Sequence, residues 1–115
     1  MLAYQRILES GARTATNNVE VEYNGHPLGQ FVIDTTAGVT GVNTLTVSIE
    51  GFDAVSGKWY QLDTTAAITT NTTTVLTINP DVNNFLPRKF RVVATHATGA
   101  SITYSIGVNL GGLGT

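Results

Sequence analysis

The residues best equipped for chemistry are few in this chain. Its two histidines, His26 and His96, lie far apart in sequence, each beside a turn or a strand end. A metal site needs three or four convergent ligands, and no His-x-x-His, Asp-x-Asp or Glu-x-x-His spacing occurs. No metal and no other cofactor is therefore expected. Each histidine reads as a locally hydrogen-bonded group or as one facing a subunit contact. No serine stands in a Gly-x-Ser-x-Gly elbow, and Val55-Ser56-Gly57 has the composition of a hairpin turn. Glu20 and Glu22 share a strand face, but alternation with Val19 and Val21 makes that face a solvated one rather than a hydrolytic carboxylate pair. Gly111-Gly112-Leu113-Gly114 opens no helix and so lacks the geometry of a phosphate loop. Asn71-Thr72-Thr73 matches a glycosylation acceptor, a chance product of abundant Asn and Thr. No catalytic residue can be nominated, and the chain is not expected to be an enzyme.

Contact chemistry is better represented. Trp59 and Tyr60 are adjacent, so on a strand they point to opposite faces and one must leave the core or cover its edge. Trp59 reads as a core or subunit-contact residue; the alternative is an exposed aromatic platform for a sugar. Arg88, Lys89 and Arg91 gather in Leu86-Pro87-Arg88-Lys89-Phe90-Arg91. They either blunt an exposed strand edge or meet an acidic patch on a partner protein. Three charges are too few for a nucleic-acid groove.

The elements that must position these groups are strands. Nineteen threonines, with as many Val and Ile combined, favour a pleated surface over a helix. Val19–Tyr23 alternates and ends at the Asn24-Gly25 turn. Gly29–Thr35 holds Phe31-Val32-Ile33, apolar on both faces. Leu45, Val47 and Ile49 point one way and Thr46, Ser48 and Glu50 the other. Asp53–Gly57 connects this strand to Lys58–Leu62 as a hairpin. Thr72–Ile78 follows, and Phe90–His96 and Ser101–Leu110 are joined by the short loop Ala97–Ala100. In the last strand Ile102, Tyr104, Ile106, Val108 and Leu110 share a face. This predicts seven strands, or eight if Ala66-Ala67-Ile68 pairs. The fold class is all-β: a single antiparallel β-sandwich over 19–110, jelly-roll-like or immunoglobulin-like.

Two terminal pieces lie outside the alternating pattern. Leu2, Tyr4, Ile7 and Leu8 have a spacing that suits one or two helical turns, and Gly11 with Thr14-Ala15-Thr16 stops anything longer. Residues 1–18 read as an N-terminal arm that orders against a neighbour, or else as a strand or turn packed on the sandwich. Residues 111–115 read as a flexible C-terminal tail.

Composition narrows the partners. A chain of 115 residues and 12.2 kDa is one domain. Six basic residues against eight acidic ones leave a net charge of −2, and only 12% of residues are charged. That balance lacks the clustered basic face a nucleic-acid binder needs, and 42% hydrophobic content excludes an acidic disordered tail. With no cysteine there is neither a disulfide frame nor a thiolate site. No apolar run is long enough to span a bilayer, and Met1–Ser10 is too interrupted for a signal peptide. Neither nucleic acid nor membrane is an expected partner.

One resemblance carries the reading further. The run Leu45-Thr46-Val47-Ser48-Ile49-Glu50-Gly51-Phe52-Asp53-Ala54-Val55-Ser56-Gly57-Lys58-Trp59-Tyr60 resembles a group of small virion proteins of tailed bacteriophages. So do Leu86–Val92 and Ser101–Gly107, which place the similarity between about Gly29 and Leu110. The resemblance implies a head decoration, or cement, protein that binds the outer surface of the capsid and stabilises the shell. Its partners would be the major capsid protein and other copies of itself, with a trimer favoured. It would be made in the host cytoplasm and reside on the virion. Minor tail proteins share such β-domains, so a tail or carbohydrate-binding adhesion module is the alternative. No catalytic residue is implied. The candidate contacts are Leu2, Tyr4, Ile7 and Leu8 of the arm, with Trp59, Arg88, Lys89 and Arg91. On the arm reading, deleting 1–18 weakens capsid association and leaves the sandwich folded.

Overall fold

A computed structural model describes residues 2–22 and 24–112, and strands are the only regular elements among them. There are eight: β1 (Leu2–Arg13), β2 (Asn17–Val21), β3 (Leu28–Ala37), β4 (Leu45–Asp53), β5 (Lys58–Thr64), β6 (Thr73–Ile78), β7 (Phe90–His96) and β8 (Ile102–Gly111). They form two four-stranded antiparallel sheets, ordered β1-β8-β3-β6 and β2-β7-β4-β5. The pairing is nested: β1 lies on β8, β2 on β7, β3 on β6 and β4 on β5. Successive strands change sheet up to β4, the chain turns back at the β4–β5 hairpin, and the return path retraces the outgoing one. This wrap is that of an eight-stranded jelly roll, so of the two sandwich types left open by the sequence the jelly roll is the one adopted.

The core forms where the alternating patterns place it. Leu45, Val47 and Ile49 of β4 are fully buried, as are Ile102 and Tyr104 of β8 and Phe31 and Ile33 of β3. Phe31 and Phe90 meet edge to face between the sheets, with ring centroids 5.9 Å apart. Val32, between two inward residues, stays half-buried on the outer face. Ile68 makes an isolated bridge to Leu45, so the Ala66–Ile68 segment contributes a contact and not a strand.

The eighth strand is β1: of the two readings of 1–18, the strand packed on the sandwich is the one found, and the arm reading is corrected. Leu2–Arg13 pairs along β8 from Leu2↔Gly111 to Arg13↔Ile102, with register shifts at Arg6/Leu8 and Leu8/Gly11. Each shift inserts extra backbone and changes which residue faces inward, so period-2 alternation is lost and an apparent helical spacing results. Ile7 is buried in the core, and Ala3 and Leu8 pack against it. Deleting 1–18 would therefore bare the edge of β8 and remove core, rather than free an appendage. At the other terminus Gly111 completes β8, paired to both Leu2 and Leu28. The tail expected beyond it at 113–115 lies outside the described residues.

Candidate functional site

The outer face of the β2-β7-β4-β5 sheet collects the contact-prone side chains. On β4, Glu50 and Phe52 face outward while Ile49 and Gly51 face the core. Register then sets Phe52 opposite Trp59 on β5, and Glu50 opposite Arg91 on β7. Arg91 in turn pairs with Glu20 of β2. The Lys89 carbonyl accepts from the Phe52 N–H, which holds Lys89 beside the same row just before β7 begins.

The resulting surface is an interleaved set of rings and charges. Phe52 and Trp59 lie with centroids 5.0 Å apart and planes tilted by 59°. The Arg91 guanidinium stacks 4.4 Å from the Trp59 centroid, and Lys89 Nζ sits 4.5 Å from that of Phe52. Each cation is also ion-paired. Arg91 Nε donates to Glu50 Oε1, and Lys89 Nζ lies 3.1 Å from Glu22 and 3.8 Å from Glu20. Such a face is amphipathic and close to neutral, with Arg91 on the inner strand β7 and Trp59 on the edge strand β5, a composition suited to protein contact.

The candidates thus separate into two groups. Trp59, Lys89 and Arg91 come together on this face. Arg88 is exposed beside it and has no ion pair among the described residues, while its carbonyl accepts from the Asn24 N–H. The basic cluster is therefore not an open cationic patch, because Glu20, Glu22 and Glu50 already neutralise two of its three members. Glu20 and Glu22 read in the sequence as merely solvated, and the strand order needed to see the pairing was not legible there. Leu2, Tyr4, Ile7 and Leu8 belong to the other sheet, on β1. Of these Ile7 is core, Leu8 is half-buried, Tyr4 is 85% exposed, and the side chain of Leu2 lies outside the described residues.

Trp59 and Tyr60 do diverge. Trp59 is roofed by Arg91 and is no open platform. Tyr60 turns back toward Gly51, whose missing side chain makes room for the ring: a Cβ there would meet the Tyr60 hydroxyl at 2.8 Å. The hairpin between them is built as its residues suggest. Gly57 takes φ +71°, and Ser56 Oγ donates to Asp53 Oδ2 at 2.7 Å. That bond, aided by the Val55 and Ser56 N–H groups, lowers the Asp53 carboxyl below its usual range.

The backbone N–H of His26 donates to Asn24 Oδ1, and its ring makes no hydrogen bond among the described residues. His96 Nε2 meets the hydroxyl of the fully buried Tyr104 at 3.0 Å, and that hydroxyl also accepts from Asn17 Nδ2. Burial first, and then the nearby Arg13, hold the His96 imidazole below its ordinary pKa. Burial likewise raises Tyr104. In both, the neutral form is favoured.

Comparison with known protein families and with curated proteins finds no match to this chain. Among solved structures it is similar to one described as "Structure of infectious bursal disease virus Gx strain", at 12% identity and a TM-score of 0.44. The match covers 95% of this chain and 31% of the other, so the chain spans under a third of that protein.

Proposed function

We propose that this chain is a structural virion protein that binds the outer surface of a phage head and stabilises the shell. The observation that supports it most directly joins the resemblance to the fold. Two of the three segments that resemble phage virion proteins, Leu45–Tyr60 and Leu86–Val92, fall on adjacent strands of one sheet. Together they supply Glu50, Phe52, Trp59, Lys89 and Arg91, nearly the whole of the aromatic and charged face. The third segment, Ser101–Gly107, belongs to β8 and mainly supplies core.

The chemistry of the face suits such a role. A protein that decorates a lattice works through many modest contacts repeated by symmetry, not one reactive cleft. Ion pairs within the face orient Trp59 and Arg91 in advance, so little side-chain entropy remains to be lost on docking. The major capsid protein is the partner this reading names. A jelly roll alone does not select it, since the same fold also serves sugar-binding proteins.

The test is affinity capture from lysate of phage-infected host cells, with the retained proteins identified. Near-stoichiometric recovery of the major coat protein, lost with Trp59→Ala, is the expected result. Recovery of tail components or cell-surface glycan without coat protein would overturn the reading in favour of a tail or adhesion module.

A further inference from the structure

Two open sheets have four edge strands, and three of them here are guarded. β1 carries Arg6, Glu9 and Arg13 and two register shifts. β2 is five residues long and carries Glu20. β5 begins at Lys58, includes Asp63 and pairs through a register shift. Charges and bulges of this kind are how proteins keep edges from pairing with other chains. β6 has neither. Its six residues, Thr-Thr-Val-Leu-Thr-Ile, are uncharged and almost all β-branched, and its register with β3 is uninterrupted from Asp34↔Thr73 to Gly29↔Ile78.

The hydrogen-bonding groups on that open side can be assigned. The Thr35 N–H donates to the Thr72 carbonyl, so Thr72 faces β3. Backbone groups alternate along a strand, so Thr74 and Leu76 also face β3 while Thr73, Val75 and Thr77 face outward. Thr77 agrees, because its carbonyl accepts from Asn83 Nδ2 at 3.1 Å. Asn83 thereby caps one end of the edge. The backbone groups of Thr73 and Val75 have no partner among the described residues. Beside them the stretch from Thr64 to Thr70 stands off and leaves a groove of ≈ 460 Å³, lined by Ala66, Ala67, Ile68, Thr74, Val75 and Leu76.

We propose that the β6 edge is a pairing surface for the β6 strand of a second copy of this chain, antiparallel about a two-fold axis at Thr74. In this register Thr73 of each copy exchanges both backbone hydrogen bonds with Val75 of the other. The Asn83-capped Thr77 carbonyl is left out of the ladder. Self-pairing fits the edge because a strand without charge meets no like charge in its copy. Thr74 opposite Thr74 and Thr73 opposite Val75 are favourable cross-strand combinations. A two-fold contact uses the same patch on both copies and closes at two, whereas the phage resemblance implies a trimer. The inference stands on the edge alone and does not depend on capsid binding.

Sedimentation of the purified chain between about 1 µM and 1 mM reads the assembly directly. The expected mass rises from 12.2 kDa toward twice that value. Thr73→Pro removes an outward N–H at the first residue of an edge strand, where proline is tolerated, and leaves the β3 ladder intact. It should weaken the dimer about tenfold or more while the thermal midpoint of the dilute monomer stays within error of the wild type. Thr74→Cys adds the only thiol, at a position where Cα atoms of facing strands lie about 4.5 Å apart, within disulfide reach. It should oxidise to a single covalent dimer. A monomer at every concentration, a trimer, a dimer indifferent to Thr73→Pro, or no covalent dimer from Thr74→Cys would each overturn the proposal. A monomer that instead acquires an extended strand from the coat protein would assign the edge to another occupant.

Discussion

The two ends of the sandwich are built from different chemistry. At one end lie the connections 14–16, 38–44, 65–72 and 97–101, which contain no Asp, Glu, Lys or Arg and have Arg13 as the one such residue directly beside them. At the other lie the 22–27 connection, the β4–β5 turn and the 79–89 segment, with Glu22, Asp53, Lys58, Asp81, Arg88 and Lys89 in or beside them. The neutral end is closed by short side chains bonded to backbone. Asn43 Nδ2 donates to the carbonyls of Gly38 and Ala100, its Oδ1 accepts from Thr98, and Thr35 Oγ1 bonds both the carbonyl and the N–H of Thr72. The charged end uses the same device at Asn24, Asn79, Asn83 and Asn84, and adds ion pairs and rings to it. A neutral hydrogen bond can be buried at small desolvation cost, and Thr35 and Asn43 are themselves buried where they tie these loops to the sheets. Ion pairs stay half-exposed, where their contribution is modest and salt-sensitive but the groups remain available to a partner. The neutral end is tied by uncharged bonds alone, whereas the charged end adds half-exposed ion pairs to them.

Substitutions at matched positions sharpen that contrast. Each end has one glycine at positive φ, Gly38 at +91° and Gly57 at +71°. A Cβ on Gly38 would strike the Ser101 carbonyl oxygen at 2.1 Å, whereas one on Gly57 meets nothing within 4 Å. Gly38→Ala should therefore destabilise by roughly 3 kcal/mol or more, through backbone clash added to strain, read from the denaturant midpoint. Asn43→Ala comes next at about 2–3 kcal/mol, because two carbonyls and the Thr98 hydroxyl lose their partner in a nearly closed site. Arg91→Met, at the charged end, should cost about 1–2 kcal/mol and should abolish much of the dependence of stability on ionic strength. Gly57→Ala follows at about 1 kcal/mol, since only the turn conformation resists it. If Gly57→Ala proved as damaging as Gly38→Ala, the division between ends would collapse.

The smallest effect is a pH dependence at the neutral end. His96 is held neutral by burial and by Arg13, so its folded pKa lies below the ordinary 6.5. Above 6.5 the imidazole is uncharged in both states and its contribution is complete. As pH falls through that value the unfolded chain takes up a proton that the folded one refuses, and stability declines until the folded pKa is passed. Unfolding followed between pH 7.5 and 5 should show this decline in the wild type and lose it in His96→Gln. An equal decline in both would assign the titration elsewhere.

Seven of the eight strands were located from residue type and turn chemistry, and where alternation assigned an inward face, in β4 and β8, its residues are buried, as Leu45, Val47, Ile49, Ile102, Tyr104, Ile106 and Val108 show. β1 was not, because two bulges erase the period that makes a strand recognisable. The site was half legible. Trp59 and the basic run stand out as residue types, but their neutralisation by Glu20, Glu22 and Glu50 depends on which strands are neighbours, and β2, β4 and β7 are distant in sequence. The unguarded β6 edge shows the same limit. Its lack of charge is visible in Thr73–Ile78, yet nothing in that segment says it lies at an edge.

The chain by itself determined an all-β domain, the inward faces of β4 and β8, and the turn at Asp53–Gly57, because side-chain period and turn chemistry act over a few residues. Only the tertiary structure decided the nested strand order, the place of β1, the pairing of charges across β2, β7 and β4, and which strands remain open. Those features rest on contacts between segments far apart in the chain, and local propensity carries no record of them.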